Sequence, residues 1–200
     1  MQNKKISLVV PVYNEEENLE NFLNEVKKIQ VFDEILVVDN NSTDKSKEII
    51  QNSNVIYLFE KIQGYGAALY TGLKNCKNDL ICLIEPDGSF DPKEIENFIP
   101  YLNDYDCVFG TRTKYKYIKK DAKMGFFLKF GNIAVARFLG ILFNYNYFTD
   151  VGCTFKLIQK KHLDLIDNNL EKIKDSTFQP YLMILLILKG LKIIEIPVSY

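Results

Sequence analysis

The stretch Glu85-Pro86-Asp87-Gly88 sets two carboxylates one residue apart. It follows Asp79-Leu80-Ile81-Cys82-Leu83-Ile84, an apolar, β-prone run expected to form a strand buried on both faces. Carboxylates at the carboxyl end of such a strand lie where open α/β sheets bind their ligands. Their hard oxygens suit Mg²⁺ or Mn²⁺ bridging the oxygens of a diphosphate. The same residues are also strong turn chemistry, because Pro-Asp-Gly closes inert loops equally well. What separates the two readings is where the other polar residues of the chain fall.

The elements that must position them can be read in order. Ile6 to Val10 is expected as a first strand closed by Pro11. Val12-Tyr13-Asn14-Glu15-Glu16 then leads into a helix with apolar residues at Leu19, Phe22, Leu23, Val26 and Ile29. Asn14 can cap that helix, and Glu15 to Glu17 suit the positive end of its dipole. Glu34 to Val38 reads as a second strand, ending in Asp39-Asn40-Asn41-Ser42-Thr43-Asp44, where Ser42 or Thr43 can cap a helix beginning near Lys45. Val55 to Phe59 makes a third strand, and Gly64-Tyr65-Gly66-Ala67-Ala68 opens a helix reaching Asn75. Strand and helix alternate through short connections, which predicts parallel β-α-β units and an α/β fold.

Asn14, Asp39 and Gly64 thereby fall at strand-to-helix turns on the same sheet edge as Asp87. Each has a plainer role: Asp39 and Ser42 as caps, Tyr13 as packing, Gly64 and Gly66 as tight-turn residues. Gly64-x-Gly66 makes a poor dinucleotide fingerprint, since Leu69 occupies the third glycine position, and this weighs against a nicotinamide or flavin enzyme. The joint placement of these residues on one edge favours the metal and diphosphate reading.

In the second half, Asp91-Pro92 starts a helix through Ile95, Phe98 and Ile99, and Asp106 to Gly110 forms a strand ending at Thr111-Arg112. From Arg112 to Lys129 the chain carries Arg112, Lys114, Lys116, Lys119, Lys120, Lys123 and Lys129 against only Asp121. Such a run is either a solvated loop or an anion or anionic-lipid contact. Residues 124–143 are long and apolar but interrupted by Lys129, Asn132 and Arg137; Lys129 and Asn132 share a helix face. An amphipathic helix in a membrane interface and a core helix against the sheet both fit. Phe178-Gln179-Pro180 leads into an apolar helix ended by Gly190, and Leu191 to Val198 makes a final strand.

Composition sets the outer bounds. With 47% apolar and 26% charged residues and a net charge of −1, the chain is an ordinary globular composition with nothing to attract nucleic acid. Cys76, Cys82, Cys107 and Cys153 form no C-x-x-C, which argues against a zinc site and against a disulfide framework. His162, the only histidine, is expected on the surface of a helix between Lys161 and Leu163. The N-terminus runs into a strand without an apolar signal region, and no run of 18 uncharged apolar residues occurs, so neither secretion nor a spanning helix is expected. Oligomeric state is not legible.

Pro11-Val12-Tyr13-Asn14-Glu15-Glu16, Val37-Val38-Asp39-Asn40-Asn41-Ser42-Thr43-Asp44, Gly64-x-Gly66-Ala67-Ala68 and Glu85-Pro86-Asp87-Gly88 resemble, in order and spacing, glycosyltransferase family 2. The branch they look most like is that of dolichol-phosphate mannose synthase and the polyprenyl-phosphate glycosyltransferases. Gly110-Thr111-Arg112 and Asp150-Val151-Gly152-Cys153-Thr154-Phe155-Lys156 resemble its acceptor-side motifs. The resemblance implies a GT-A fold, a central mostly parallel sheet flanked by helices, with residues 1–110 as nucleotide-sugar-binding half and 111–200 as acceptor half. It implies an inverting transfer from a nucleoside-diphosphate sugar, dependent on Mg²⁺ or Mn²⁺. The donor-binding set it implies is Pro11, Tyr13, Asn14, Glu15, Asp39, Ser42, Gly64, Gly66, Glu85, Pro86 and Asp87, with Asp87 and Glu85 at the metal. Arg112, Lys129 and Asn132 would meet the acceptor, and Asp150, with Asp87, would be catalytic.

Three residues depart from the family pattern: Glu85 stands where an Asp is usual, Asn40 where a second Asp is common, and Ser89 near a frequent Gln. The basic segment that follows the last strand in that branch is absent from this sequence. A lipid phosphate acceptor is already an anion near pH 7 and needs no strong base, so Asp150 could orient Arg112 or the acceptor; a glycan hydroxyl would require it as a base. The acceptor expected from the resemblance is a polyprenyl phosphate, with a glycan hydroxyl, or a non-catalytic sugar-nucleotide-binding domain, as the alternatives. The expected location is cytoplasmic, at the inner face of the membrane.

Overall fold

A computed structural model describes residues 4–113, 126–143 and 148–199, with the backbone course alone for 126–130 and 132. Among the described residues seven strands form one sheet: β1 (Ile6–Val12), β2 (Glu34–Asp39), β3 (Ile56–Phe59), β4 (Leu80–Leu83), β5 (Cys107–Thr111), β6 (Lys156–Gln159) and β7 (Ile193–Pro197). The helices are α1 (Leu19–Lys28), α2 (Ser46–Gln51), α3 (Tyr65–Asn75), α4 (Ile95–Phe98), α5 (Phe126–Leu142), α6 (Lys160–Asp164), α7 (Asp167–Leu170) and α8 (Phe178–Leu188). The strand order is β3-β2-β1-β4-β6-β5-β7. All pairs are parallel except those of β6, which runs antiparallel to both β4 and β5. That one reversed strand carries the end of the motif at residues 150–156 back alongside β4, so Lys156 pairs with Leu83, two residues before Glu85.

Both faces of the sheet are buried, which is why its strands read as unbroken apolar runs. Val9, Leu36, Val38, Ile81, Leu83 and Phe109 point into one core shared with α3, α5 and α8. Leu8, Val10, Val37, Cys82, Val108 and Leu157 point into the other, against α1, α2 and α4. Alternate residues of one strand thus feed opposite layers. All four cysteines are buried free thiols, and burial pushes those of Cys76 and Cys153 up to about 12.

Three expectations change. β1 does not stop at Pro11 but runs to Val12, in register with Asp39. Odd residues of β1 bond toward β4, and that pairing ends at Val9 with Leu83, so the N–H that proline lacks falls beyond the ladder and costs nothing. Asn14 caps no helix, and neither do Ser42 and Thr43; the N-cap positions of α1 and α2 are Asn18 and Lys45, four residues after Asn14 and two after Thr43. His162 is buried rather than exposed, its Nε2 3.0 Å from a carboxylate oxygen of Asp106.

α5 settles neither of its two readings alone. Ala136 is fully buried in the core, with Leu139 and Phe143 packed against it. The opposite stripe exposes Val135, Phe138, Ile141 and Leu142, with Ile141 81% and Phe138 63% accessible. No helix among the described residues is long and apolar enough to cross a membrane. The lysines 114–123 and the side chains of Lys129 and Asn132 lie outside the described residues.

Candidate active site

The carboxyl ends of β1, β2 and β4 and the start of α3 surround an open cavity of about 350 Å³. The first strand and its turn supply Pro11, Val12, Tyr13 and Glu15; the approach to α3 supplies Gln63, Gly64, Tyr65 and Ala68; the turn after β4 supplies Glu85, Pro86 and Asp87, and Asn40 completes the lining. Seven of the sequence-predicted donor residues therefore meet in one place. Tyr13, half exposed, presents its ring at this edge of the sheet. Asp87 is fixed by its own turn, with Ser89 N–H donating to its Oδ1 at 2.9 Å. Burial pushes the Glu15 carboxyl above its usual range, and the charges of Asp87, Glu85 and Asp44 push it further, against a hydrogen bond from Asn18. Such crowded negative charge is what a bound cation relieves.

Among the described residues no three His, Cys, Asp or Glu side chains converge as a ready-made cage for a metal. Glu85 and Asp87 instead offer one or two carboxylates beside an open cavity. That donor set fits Mg²⁺ or Mn²⁺, which are held by few protein oxygens and completed by a ligand's phosphates.

The remaining predicted donor residues support the cavity from behind. Asn14 adopts φ +55°, a left-handed conformation asparagine tolerates. Its N–H donates to Ser42 Oγ at 3.1 Å while its Oδ1 accepts from Thr43 N–H at 2.8 Å. Glu16 N–H donates to Asp44 at 3.0 Å, and Lys45 N–H donates back to Glu16 at 3.0 Å. These reciprocal bonds lock the first two strand-to-helix turns together. Asp39, buried, accepts from Ser42 N–H at 2.9 Å and from the Tyr57 hydroxyl at 3.4 Å. Gly64 has φ +148°, and a Cβ there would lie 2.2 Å from the Lys174 carbonyl oxygen; one on Gly66 would lie 2.6 Å from that of Ile173. The absent side chains let α3 dock on the backbone of 173–175.

Asn40 gains a role the sequence did not suggest. Its Nδ2 donates to the carbonyls of Glu60 (3.2 Å) and Ile62 (2.7 Å), and its Oδ1 accepts from Gly64 N–H at 2.8 Å. One buried amide therefore fixes the whole path from β3 to α3.

Past the end of β5, Asp150 and Arg112 form a bidentate pair, Nε to Oδ2 at 2.8 Å and Nη2 to Oδ1 at 2.9 Å. Arg112 N–H adds a bond to Oδ2 at 3.0 Å and Gly152 N–H one to Oδ1 at 3.2 Å. Each carboxylate oxygen of Asp150 thus accepts two N–H donors, which uses the roughly four lone-pair sites a carboxylate has. Lys156, fully buried, donates to the Cys153 carbonyl and lies 4.9 Å from the centroid of the Phe109 ring. Burial lowers its pKa to about 8, against the charges of Asp150 and Glu85.

The two sides join at Tyr65. Its hydroxyl lies 2.8 Å from Thr154 Oγ1 and accepts from Gln179 Nε2 at 3.1 Å. Burial drives the phenol pKa well above its ordinary value, and the nearby Glu85 carboxylate adds to this. Tyr65, Thr154, Lys156 and Gln179 were missed as site residues. The available signals were a lysine inside the apolar run Phe155 to Ile158 and a glutamine at the head of the apolar helix α8.

A family model described as glycosyl transferase family 2 matches residues 7–166. Over 217 residues the chain is 28% identical to a dolichyl-phosphate beta-glucosyltransferase of Trichomonas vaginalis, covering 98% of this chain and 65% of that protein. Over 191 residues it is 28% identical to an undecaprenyl-phosphate 4-deoxy-4-formamido-L-arabinose transferase of Pseudomonas savastanoi pv. phaseolicola, covering 90% of this chain and 53% of that protein. The chain thus spans between half and two thirds of the length of these two relatives. Glucosyl-3-phosphoglycerate synthase from Mycobacterium tuberculosis, crystallised with Mn²⁺, UDP and glucosyl-3-phosphoglycerate, matches the fold with a TM-score of 0.74 at 15% identity, over 98% of this chain and 71% of that one. The sheet and its flanking helices are those of the GT-A fold, as the motifs imply. The chain belongs to glycosyl transferase family 2.

Proposed function

We propose that the protein is an inverting glycosyltransferase that moves a sugar from a nucleoside diphosphate to a polyprenyl phosphate. Residues 1–110 form the donor half and 111–200 the acceptor half. The nucleotide occupies the cavity among Pro11, Tyr13, Glu15 and Gly64, with Asp39, Asn14, Ser42 and Gly66 holding its walls. Asp87, with Glu85 beside it, would hold Mg²⁺ or Mn²⁺ on the diphosphate, and the cation would neutralise the charge that develops on the leaving group. An acceptor oxygen attacks the anomeric carbon; the bond from that carbon to the diphosphate oxygen breaks, and its electron pair leaves with the diphosphate. Arg112, aimed by Asp150, orients the acceptor phosphate, and Lys129 and Asn132 on α5 belong to the same acceptor half.

The observation that carries this reading is the state of Asp150. With four N–H donors on its two oxygens, its lone pairs are already committed to Arg112 and the loop backbone. An acceptor that arrives ionised, as a phosphate does, requires no base. The relatives named for dolichyl and undecaprenyl phosphate support the same acceptor class. The apolar stripe of α5 supports peripheral contact with the membrane that holds such a lipid, on its cytoplasmic side.

The test offers a panel of sugar nucleotides and Mn²⁺ with either a polyprenyl phosphate or an oligosaccharide acceptor, and follows nucleotide release and product mass. Transfer to the phosphate is expected. Transfer to the oligosaccharide alone would make the acceptor a glycan hydroxyl, and tight nucleotide binding that ignores Mn²⁺ without any transfer would make the chain a binding domain.

A further inference from the structure

We infer that Glu195, on the last strand, is a positioning residue that sets the geometry of the acceptor site through the backbone of Thr149 and Asp150. The inference rests on the acceptor reading above and extends it to a carboxylate far from the motifs.

Glu195 sits third in β7, in register with Phe109 of β5. Its side chain reaches the loop that precedes β6. Thr149 N–H lies 3.0 and 2.9 Å from its two oxygens, Thr149 Oγ1 donates to Oε2 at 2.8 Å, and Asp150 N–H donates to Oε1 at 3.1 Å. All these donors come from two consecutive residues, so one carboxylate grips the loop at the point where Asp150 leaves it. The grip continues sideways, because Thr149 Oγ1 also lies 2.8 Å from Thr111 Oγ1, the residue before Arg112. Glu195, Thr149, Asp150, Thr111 and Arg112 therefore form a closed circuit: Glu195 fixes the Asp150 backbone, the Asp150 carboxylate fixes the guanidinium, and Thr149 ties the loop to the strand that carries Arg112.

A carboxylate placed for stability alone would not be expected in such a setting. Glu195 is pushed above the usual carboxyl range first by burial, with Asp150's charge adding to it, so its ionised form is held at a cost. An apolar residue would escape that cost but leave the Thr149 and Asp150 donors without this acceptor and the loop without its anchor. What a charged acceptor group gains is aim, because three N–H and O–H donors converge on it and leave the loop one position. An arginine that must meet a phosphate loses much of its value when displaced by about 1 Å.

The experiment compares the wild type with Glu195→Ala and Glu195→Gln in three measurements. The first is calorimetric binding of citronellyl phosphate, a soluble short-chain stand-in for the lipid acceptor. The second is calorimetric binding of UDP with Mn²⁺. The third is amide hydrogen exchange across 148–155. Glu195→Ala is expected to weaken citronellyl phosphate binding between about tenfold and about a hundredfold. It should leave UDP and Mn²⁺ binding within about twofold and raise exchange only in 148–155. Glu195→Gln, which keeps one acceptor oxygen and the side chain's length, should fall between the two. Faster exchange with unchanged citronellyl phosphate binding would reduce Glu195 to a structural brace and overturn the inference, as would unchanged exchange. Loss of UDP binding together with citronellyl phosphate binding would mark general damage and count against it too. A wild type that binds UDP and Mn²⁺ but no citronellyl phosphate would instead refute the acceptor reading, and with it this one.

Discussion

Asp150→Asn separates an aiming carboxylate from a catalytic base. The substitution keeps the shape but turns one oxygen into an NH₂ group. Whichever oxygen is replaced, two N–H donors lose their acceptor: Arg112 Nη2 and Gly152 N on one side, or Arg112 N and Nε on the other. Hydrogen bonds to charged groups contribute about 1.5–3 kcal/mol each, so two are worth roughly 3–6 kcal/mol. That agrees with the loss of about 3–5 kcal/mol when one partner of a buried ion pair is removed. The Asp150 side chain is fully buried and that of Arg112 only 12% exposed, so solvent does little to soften the loss. For a domain of this size each kcal/mol shifts Tm by about 2–4 °C, which places the variant about 6–20 °C below the wild type. Calorimetric melting checks this, and steady-state kinetics with a polyprenyl phosphate check the function. The expected pattern is a rise in acceptor KM and a fall in Tm, with kcat at saturating acceptor kept within about tenfold. A general base contributes about 10²–10⁴-fold, so a kcat loss of about a thousandfold at unchanged KM and Tm would refute the aiming role.

Other residues give sharper single outcomes. Asp87→Asn should cost the Mn²⁺-dependent part of binding of the nucleoside diphosphate that the sugar-nucleotide panel selects about tenfold or more, read by titration calorimetry with and without the metal, while metal-free binding stays. Asn40→Asp removes both amide donors to the Glu60 and Ile62 carbonyls, so urea denaturation should give a loss of about 2–5 kcal/mol, with nucleoside-diphosphate binding weakened as the Gly64 turn loosens. His162 has its pKa held below the ordinary imidazole value of about 6.5, chiefly by burial, with Asp106 opposing. The unfolded chain therefore takes up this proton first, and stability present above that value is lost as pH falls through it toward the folded pKa. Urea midpoints at about pH 7.5 and about pH 5.5 should differ in the wild type and differ less in His162→Asn.

The cavity was legible because its information is local. Each chemical residue there follows an apolar run directly, and each run ends at the same sheet edge, so Pro11, Tyr13, Glu15, Gly64, Glu85 and Asp87 could be placed together from the order of elements alone. What the sequence hid is pairing across long separations. Asn14 and Ser42 read as helix caps, yet their partners are each other's loops, 28 and 29 residues away. Local spacing cannot tell a side chain that bonds its own helix from one that bonds a neighbouring turn. Gly64 and Gly66 read as tight-turn or donor-binding residues, and nothing local showed that a side chain at either would also meet the backbone of 173–175, over a hundred residues along. His162 follows a lysine and looked solvated until α6 turned it toward Asp106. Glu195 had no motif around it at all; its meaning lies 45 and 46 residues back, in the loop it holds.

The departures from the family pattern bear on whether this domain catalyses or merely binds. Asn40 stands where a second aspartate is common, and a lost acid there would favour a binding domain. Its surroundings argue otherwise. Two carbonyl oxygens face its side chain, and an aspartate would set acceptor against acceptor in a buried place. Asparagine is the residue this packing requires, so its presence says nothing about lost chemistry. Glu85 is a different case, because it keeps its charge at the cavity. That charge is felt by Glu15, by Tyr65 and by the buried Lys156, whose own ammonium is held against the pull of burial. A scaffold gains nothing from a lysine buried between Glu85 and the Asp150–Arg112 pair; a well-packed apolar residue would cost less. Charge retained there, between the cavity and the Asp150 loop, is what the proposed transfer, which gathers anions from both sides, would require.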